Sequence, residues 1–172
     1  SIIVHTPAYG PLLAVVRNND RKLIECRLSE SDGRFVVDEA QLVSRIRPDT
    51  RMIILCNPHN PTGRVFTPDE LAVISRIAER HDLLVVSDEV HSDLVMPGHR
   101  HIPFGKMAAR RSVTVVSPNK TFNTAGIPQA TLVIPDEFLR QRFRSFLDTL
   151  QLNHETTFGA VGMLAGYRQC AD

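Results

Sequence analysis

The chain has 172 residues, of which 42% are apolar and 23% charged, a composition that supports a domain with a buried core and excludes a disordered tail. Its 20 basic against 19 acidic side chains give a net charge of +1, so we expect neither a nucleic-acid partner nor binding to an anionic membrane. The longest apolar runs are far shorter than the roughly 18 residues of a membrane helix, and the predicted partner is a small molecule.

The cysteines and the first residues bear on cellular location. Cys26, Cys56 and Cys170 are an odd number without the spacing of metal ligands, which favours a reducing compartment over a disulfide framework. The chain begins on a strand-like run with no initiating methionine and no basic leader, so we expect no signal peptide. We interpret the chain as cytoplasmic and as a piece of a longer protein.

In chain order, four short runs rich in β-branched and apolar residues predict buried parallel strands. They are residues 2–4, 52–56, 83–87 and 113–117. Residues 131–134 predict a fifth strand. Residues 22–37 predict two strands around a turn at 31–33, as a hairpin or an excursion at the edge of the sheet.

Helical patterns lie between these strands, and the clearest begins at Thr67. Pro68 suits the first helical position, and Thr67 and Glu70 can form a capping box. Apolar residues then recur on one face over about three turns. Asp38 is predicted to cap a further helix, and another helix is predicted to begin at Asp136.

The helix after Asp136 has an apolar face. Its members are Leu139, Phe143, Phe146 and Leu150. A last helix is predicted from about residue 157. This alternation of strands and helices predicts an α/β fold with a mainly parallel sheet and crossover helices.

Polar side chains follow three of the predicted strands, and in open α/β sheets ligands bind beyond the carboxyl ends of the strands. The segments are Asn-Pro-His-Asn-Pro-Thr-Gly at 57–63, Asp-Glu-Val-His at 88–91 and Ser-Pro-Asn-Lys-Thr-Phe-Asn at 117–123. Each alone is ordinary, since Asn-Pro is common in turns, acidic residues often cap helices and most lysines are solvated. Together they place an amide, a carboxylate and a lysine on successive strand ends, which suits a carbonyl cofactor with a pyridine ring.

These segments resemble the fold-type I pyridoxal-phosphate (PLP) enzymes, the aminotransferase class I and II superfamily. Asn60, Asp88 and Lys120 are 28 and 32 residues apart, which allows one crossover between each pair. The first two segments, together with His-Arg-His-Ile-Pro-Phe at 99–104, are similar to the cystathionine β-lyase-like C-S lyase branch. The resemblance extends from about residue 6 to the last helix and implies the fold of the PLP-binding large domain.

The resemblance implies roles for individual residues toward PLP. Lys120 forms the Schiff base with the cofactor, and Asp88 pairs with the pyridine nitrogen. Asn60 donates to the phenolic oxygen. The ring of Tyr9 stacks on the pyridine face, with a tyrosine of the hydrophobic core as the alternative interpretation.

Two further positions follow the resemblance and one departs from it. Ser117 matches a phosphate-binding hydroxyl, and His91 stands where many relatives have a tyrosine that reaches the phenolic oxygen. Many superfamily members have a phosphate-binding arginine eight residues beyond the lysine, where this sequence has Pro128, so another group must neutralise the phosphate. His99 and His101 form a His-x-His pair without a third ligand, for which we expect a surface loop rather than a metal site.

The predicted function is PLP-dependent β-elimination by a C-S lyase on sulfur-containing amino acids, with Lys120 removing the α-proton and Asp88 supporting the ring that stores the electrons. A PLP-dependent aminotransferase is the first alternative. A noncatalytic PLP-binding or sensor module is the alternative from another class. A nicotinamide-binding Rossmann domain is disfavoured, because no Gly-x-Gly-x-x-Gly follows a predicted strand.

The resemblance also implies an assembly. Residues 1–172 correspond to the central part of the large domain, and the complete protein is expected to be a homodimer. The phosphate-binding loop and the arginine that holds the substrate carboxylate are expected outside this chain, so we expect the isolated chain to have little or no activity.

Two structural expectations follow. The Asn60–Pro61 peptide bond is predicted to be cis, with Thr6–Pro7 as a weaker candidate. Five site residues are predicted to meet at one edge of a parallel sheet. They are Tyr9, Asn60, Asp88, Ser117 and Lys120.

Overall fold

The computed structural model describes residues 1–152 and 156–170, and a six-stranded sheet runs through its centre. The strands in this part of the chain are β1 Ile2–Thr6, β2 Leu23–Arg27, β3 Ser29–Ser31, β4 Arg34–Val36, β5 Met52–Cys56, β6 Leu84–Asp88, β7 Ser112–Val116 and β8 Thr131–Val133. The order across the sheet is β2-β1-β5-β6-β7-β8, and β3 pairs with β4 in a separate hairpin. Neighbours from β2 to β7 are parallel, whereas β8 is antiparallel to β7. The predicted α/β fold with a mainly parallel sheet is confirmed.

The predicted hairpin around residues 31–33 is confirmed, and residues 22–37 contain a third strand, β2, before it. β2 joins the main sheet as a parallel edge strand beside β1, and its inward side chains, Ile24 and Cys26, are buried. The hairpin is formed by β3 and β4, with Asp32 and Gly33 at positive φ in the turn. The first half of this segment is therefore part of the sheet that carries the site.

The helices described are α1 Gly10–Asn18, α2 Glu39–Arg45, α3 Pro68–Arg80, α4 Glu137–Thr149 and α5 Thr157–Gln169. The predicted caps at Asp38 and Thr67 are confirmed, since each accepts a hydrogen bond from the backbone N–H three residues on. Asp136, where a helix was predicted to begin, caps α4 in the same way. Thr67 and Glu70 complete the predicted capping box. The sequence analysis missed α1, whose Gly-Pro start is more typical of a turn, although proline fits the first turn of a helix.

The hydrophobic core lies on both faces of the sheet. On one face, β1, β5 and β6 pack against α2 and α3, and fully buried side chains such as Ile53, Leu71 and Ile74 form the larger cluster. On the other face, Val4 and Ile54 pack against Val16 of α1. Two layers of helices thus fix the strands whose ends carry the predicted site.

The two C-terminal helices carry exposed apolar side chains. None of the α4 side chains is buried in the described chain, and Phe146 is 58% exposed. α5 contacts the rest of the protein where Gly166 meets the ring of Phe122, which leaves no room for a side chain at position 166. No described helix is long and apolar enough to cross a bilayer.

Candidate active site

The carboxyl ends of four parallel strands meet at one edge of the sheet. β1, β5, β6 and β7 are consecutive neighbours that run in the same direction. The predicted residues lie at or just beyond these ends: Tyr9 after β1, Asn60 after β5, Asp88 at the end of β6, and Ser117 and Lys120 after β7. The predicted convergence of these positions is confirmed, and the roles of the side chains toward a cofactor stay predictions.

The direction in which successive strands are added to the sheet reverses between β1 and β5. It leaves β1 through α1 on one face and returns to β2, whereas it leaves β5 through α3 on the opposite face and returns to β6 on the other side. Connections that diverge in this way open a crevice beyond the strand ends, where α/β proteins bind ligands. Tyr9 and Asn60 follow the two diverging strands, so they stand on either side of this crevice.

Asp88 is a half-buried carboxylate at the end of β6. Its Oδ1 accepts the N–H of Val90 at 3.3 Å, and Cys56 is its partner across the ladder to β5. Burial raises the pKa of Asp88, and the Val90 N–H and the charges of His91 and Lys120 act in the opposite direction. Asp88 is therefore within electrostatic reach of Lys120, and a further positive partner would compensate the burial of its charge.

Ser117 and Lys120 line a cavity of about 900 Å³ between the segment after β7 and α4. Its far wall includes Arg140, Phe143 and Arg144 of α4. The other four predicted site residues, Tyr9, Asn60, Asp88 and His91, lie outside the lining of this cavity in the part of the chain that the structure describes. Lys120 therefore lines the same cavity as Ser117 and lies within electrostatic reach of Asp88.

The Ser117 hydroxyl is buried and hydrogen-bonded within the chain. Its Oγ donates to the carbonyl oxygen of Gln129 at 2.6 Å and accepts the N–H of Asn119 at 3.2 Å. Donation to a phosphate would require this proton to turn away from Gln129. Pro128 lines the same cavity and supplies neither a cation nor a backbone N–H. Ser117 and Pro128 thus offer no free donor to the phosphate of PLP, and the positive charges on the wall of this cavity are those of Lys120, Arg140 and Arg144.

The other predicted residues are accessible at the sheet edge. Tyr9 is 44% exposed, so the alternative of a core tyrosine is wrong. Asn60 and His91 are half-buried. The Asn60 N–H contacts the Cys56 Sγ at 3.5 Å, which fixes its backbone above the end of β5. A ring face and an amide are thus available beside the crevice.

The segment after β5 is held by its own side chains. Asn57 is fully buried, and its Oδ1 accepts the N–H of Phe66 at 3.0 Å. His59 is buried, and its Nδ1 lies 2.8 Å from the Thr62 Oγ1. Gly63, at a φ of +71°, allows the turn in which its N–H donates to the His59 carbonyl. This loop presents Asn60 in a defined position.

Three peptide bonds before proline are cis in the described chain. Asn60–Pro61 and Thr6–Pro7 are among them, which confirms both predictions. Asn57–Pro58, which was not predicted, is the third.

A buried carboxylate beside Asp88 was not predicted from the sequence. Glu89 is 1% exposed and binds the imidazole of His101, with 2.8 Å between Oε2 and Nε2. The surface loop expected at His101 is therefore wrong, whereas His99 is exposed as expected. A glutamate in an acidic pair and a histidine twelve residues away give no local pattern that links them, so only the fold reveals the contact.

A second missed contact lies beside the lysine. Asp93 accepts hydrogen bonds from the Thr121 hydroxyl at 3.2 Å and the Tyr167 hydroxyl at 2.7 Å. The Tyr167 ring packs edge-on against Phe122 at 5.0 Å between centroids. Burial, followed by the bond to Asp93, raises the pKa of Tyr167 to about 12. These contacts connect α5 and the segment after β6 to the residue next to Lys120.

Comparison with known proteins agrees with this geometry. A model of the family described as "Aminotransferase class I and II" matches residues 1–160. The protein named cystathionine beta-lyase PatB, from Bacillus subtilis, is 36% identical over 170 residues, which cover 96% of this chain and 44% of the relative.

Two solved structures have the same fold as this chain at a TM-score of 0.93 each. Cystalysin from Treponema denticola, whose structure contains pyridoxal 5'-phosphate, is 36% identical. A PLP-bound putative aminotransferase from Clostridium difficile is 35% identical. Both alignments cover 98% of this chain and 44% of the other. The chain thus spans less than half the length of the relatives it matches.

Proposed function

The chain belongs to the aminotransferase class I and II family, and we propose that it is the central part of the large domain of a PLP-dependent C-S lyase that acts on sulfur-containing amino acids. The observation that carries the proposal is the position of Asp88 and Lys120 at the ends of the neighbouring parallel strands β6 and β7, beyond which α/β proteins bind ligands. The similarity to proteins named cystathionine beta-lyase and cystalysin supports the lyase branch.

PLP, when bound, supplies an aldehyde that condenses with amines and a ring that accepts the electrons of a broken bond. Asp88 would hold the proton on the ring nitrogen, because a positive charge at that atom offsets the burial of this carboxylate. Asn60 and His91 would reach the phenolic oxygen. Tyr9 would cover one face of the ring with its accessible side chain.

Lys120 has two tasks in this proposal. Its amine would hold the cofactor through the aldehyde, and the Nζ, when free, would accept the α-proton of the amino acid. Expulsion of the thiol from the β-carbon then yields pyruvate and ammonia after hydrolysis. The exposed position of Lys120 on the cavity wall supports access of a small amino acid to this amine.

An aminotransferase is the second candidate. The same lysine would return the proton to the cofactor carbon instead of allowing loss of a thiol, and the similarity to a putative aminotransferase supports this reaction. The interactions that separate the two outcomes hold the substrate carboxylate and side chain, and we place them outside this chain. A noncatalytic PLP-binding module would bind the cofactor and catalyse neither β-elimination nor transamination.

We place the complete protein in the cytoplasm as a homodimer without a nucleic-acid partner. Cys26 and Cys56 are buried and free, which supports a reducing compartment. The exposed apolar side chains of α4 and α5 support a contact with another part of the complete protein or with a second subunit. Light scattering on the complete protein measures its oligomeric state, and a monomeric mass would contradict the proposed homodimer.

The decisive experiment compares Lys120→Ala with Lys22→Ala in the complete protein. Lys120→Ala is expected to remove the visible absorption band of bound PLP and to lower pyruvate release from cystathionine roughly a thousandfold or more. Lys22 is an exposed lysine that precedes the edge strand β2, so its variant should match the wild type. Unchanged turnover in Lys120→Ala would show that another lysine is the anchor.

A second assay separates the candidate reactions. The complete protein is supplied with cystathionine, with and without a 2-oxo acid as amino-group acceptor. A lyase releases pyruvate and ammonia without the acceptor, whereas an aminotransferase consumes the acceptor and releases no thiol. Binding of PLP without turnover in either assay would support the noncatalytic module.

A further inference from the structure

We propose that Glu89 and His101 are positioning residues of the active site, which close residues 89–104 into a loop and thereby hold Asp88 and His91 at the sheet edge. The inference rests on the proposed function, because Asp88 and His91 are its candidate cofactor contacts. It assigns a role to a buried carboxylate–imidazole contact outside the predicted site.

Glu89 has three hydrogen-bond partners in the interior. Its Oε1 accepts from the Ser87 hydroxyl at 2.7 Å and from the Phe104 N–H at 2.8 Å, and its Oε2 is 2.8 Å from the His101 Nε2. The carboxylate is 1% exposed and the Phe104 side chain fully buried. A charge removed from water in this way persists only when its oxygens are occupied by donors. The Glu89 carboxylate is therefore held in one position by the groups around it.

The contact with Glu89 requires a proton on one nitrogen of the histidine ring. A carboxylate only accepts hydrogen bonds, so the His101 Nε2 donates to the Glu89 Oε2. The His101 Nδ1 is buried and has no partner in the described part of the chain. The geometry thus requires only a donor at the Nε2 position, which a glutamine amide can also supply.

The two contacts join the ends of one segment. Glu89 begins it, and His101 and Phe104 end it, twelve and fifteen residues later. Between them the chain carries His91, beside Asp88, and Asp93, which holds the Thr121 hydroxyl next to Lys120. Fixing both ends of a segment lowers the number of conformations open to the residues between them.

Two backbone hydrogen bonds hold the chain at Asp88 and Glu89. The Asp88 carbonyl accepts the N–H of Asn57, and the Glu89 N–H donates to the Val115 carbonyl, at 2.9 and 2.8 Å. Successive side chains of a strand point to opposite faces, so Glu89 reaches the Phe104 N–H on the face of the larger core cluster, whereas Asp88 faces the other side. An anchored Glu89 therefore limits rotation of the adjoining backbone and of Asp88.

The test compares His101→Leu with His101→Gln in the complete protein. His101→Leu removes the donor to Glu89, and His101→Gln keeps a donor at the same position. Three quantities are measured: the dissociation constant of PLP from the reconstituted apoprotein, the pH midpoint of the visible band of bound PLP, and the denaturation midpoint. Ile77→Val, a small core truncation at the C-terminal end of α3, is the control for stability loss alone.

His101→Leu is expected to weaken PLP binding roughly tenfold or more, because without the donor to Glu89 the cofactor contacts Asp88 and His91 are no longer held in place. The pH midpoint of the visible band should move, since Asp88 then supports the charge on the ring nitrogen less well. His101→Gln should restore both values to within about threefold and a few tenths of a pH unit of the wild type. Ile77→Val should lower the denaturation midpoint and leave both values unchanged.

Two results overturn the inference. One is a His101→Leu variant that loses stability while its PLP affinity and pH midpoint match those of Ile77→Val, which would limit the pair to a structural role. The other is failure of His101→Gln to restore either value. Absence of PLP binding by the wild-type protein would instead refute the proposed function, so the two failures are distinguishable.

Discussion

α3 and α4 are helices of equal length that differ in what covers them. Each has 13 residues, begins after a capping side chain and carries an apolar face. α3 buries four side chains against the sheet, Leu71 and Ile74 among them, whereas α4 buries none in the described chain. Amphipathic periodicity therefore identifies a helix and its apolar face, and the surface that covers this face is set by the rest of the fold.

Truncation of one apolar side chain on each helix gives the largest expected contrast. Ile74→Ala should lower the free energy of unfolding of the 172-residue chain by roughly 2–5 kcal/mol, because it opens a cavity in a fully buried cluster. Phe146→Ala should cost less than about 1 kcal/mol, since its ring is 58% exposed. Urea denaturation measures both, and equal losses would show that the α4 face is covered in solution.

The sequence predicted features that depend on neighbouring residues. The capping box of Thr67 and Glu70 and the polar strand ends at Asp88 and Ser117 were of this kind, because short-range spacing determines them. The ladder partner of β8 and the pair of Glu89 with His101 depend on contacts across the fold. Sequence spacing carries no signal for such contacts.

The buried histidines of the core predict an acid-sensitive stability. Burial, and to a smaller extent the neighbouring His59, lowers the pKa of His5 to about 4, and burial followed by Arg64 lowers the pKa of His59 to about 4. Both nitrogens of His5 are buried without a partner in the described chain. As the pH falls from about 6.5 to 4, these histidines bind protons in the unfolded chain but stay neutral in the folded chain. The free energy of unfolding therefore decreases through this window.

The contribution of His5 to this loss is expected to be about 3 kcal/mol. Denaturation midpoints recorded between pH 7 and 4 measure it. His5→Leu should flatten part of the pH dependence, because the side chain no longer titrates in either state. His99→Gln is the matched control, since His99 is exposed, and it should follow the wild type. A wild-type curve that is flat across this window would contradict the burial of these rings.

Removal of the helix caps gives the smallest expected change in stability. It compares α3 with α4 at one equivalent position in each helix. Thr67 Oγ1 accepts the Glu70 N–H at 3.2 Å, and Asp136 Oδ1 accepts the Leu139 N–H at 2.7 Å. Replacement of either by alanine should cost about 1 kcal/mol of helix stability. Because α3 packs into the core, Thr67→Ala should lower the global unfolding free energy by that amount.

The loss in Asp136→Ala should stay within α4, because no buried side chain couples this helix to the sheet in the described chain. Hydrogen exchange should then quicken for the amides at the start of α4, with little change in the global midpoint. Equal shifts of the global midpoint in both variants would mean that α4 unfolds together with the core. Its exposed apolar face would then have to be stabilised by contacts other than burial against the sheet.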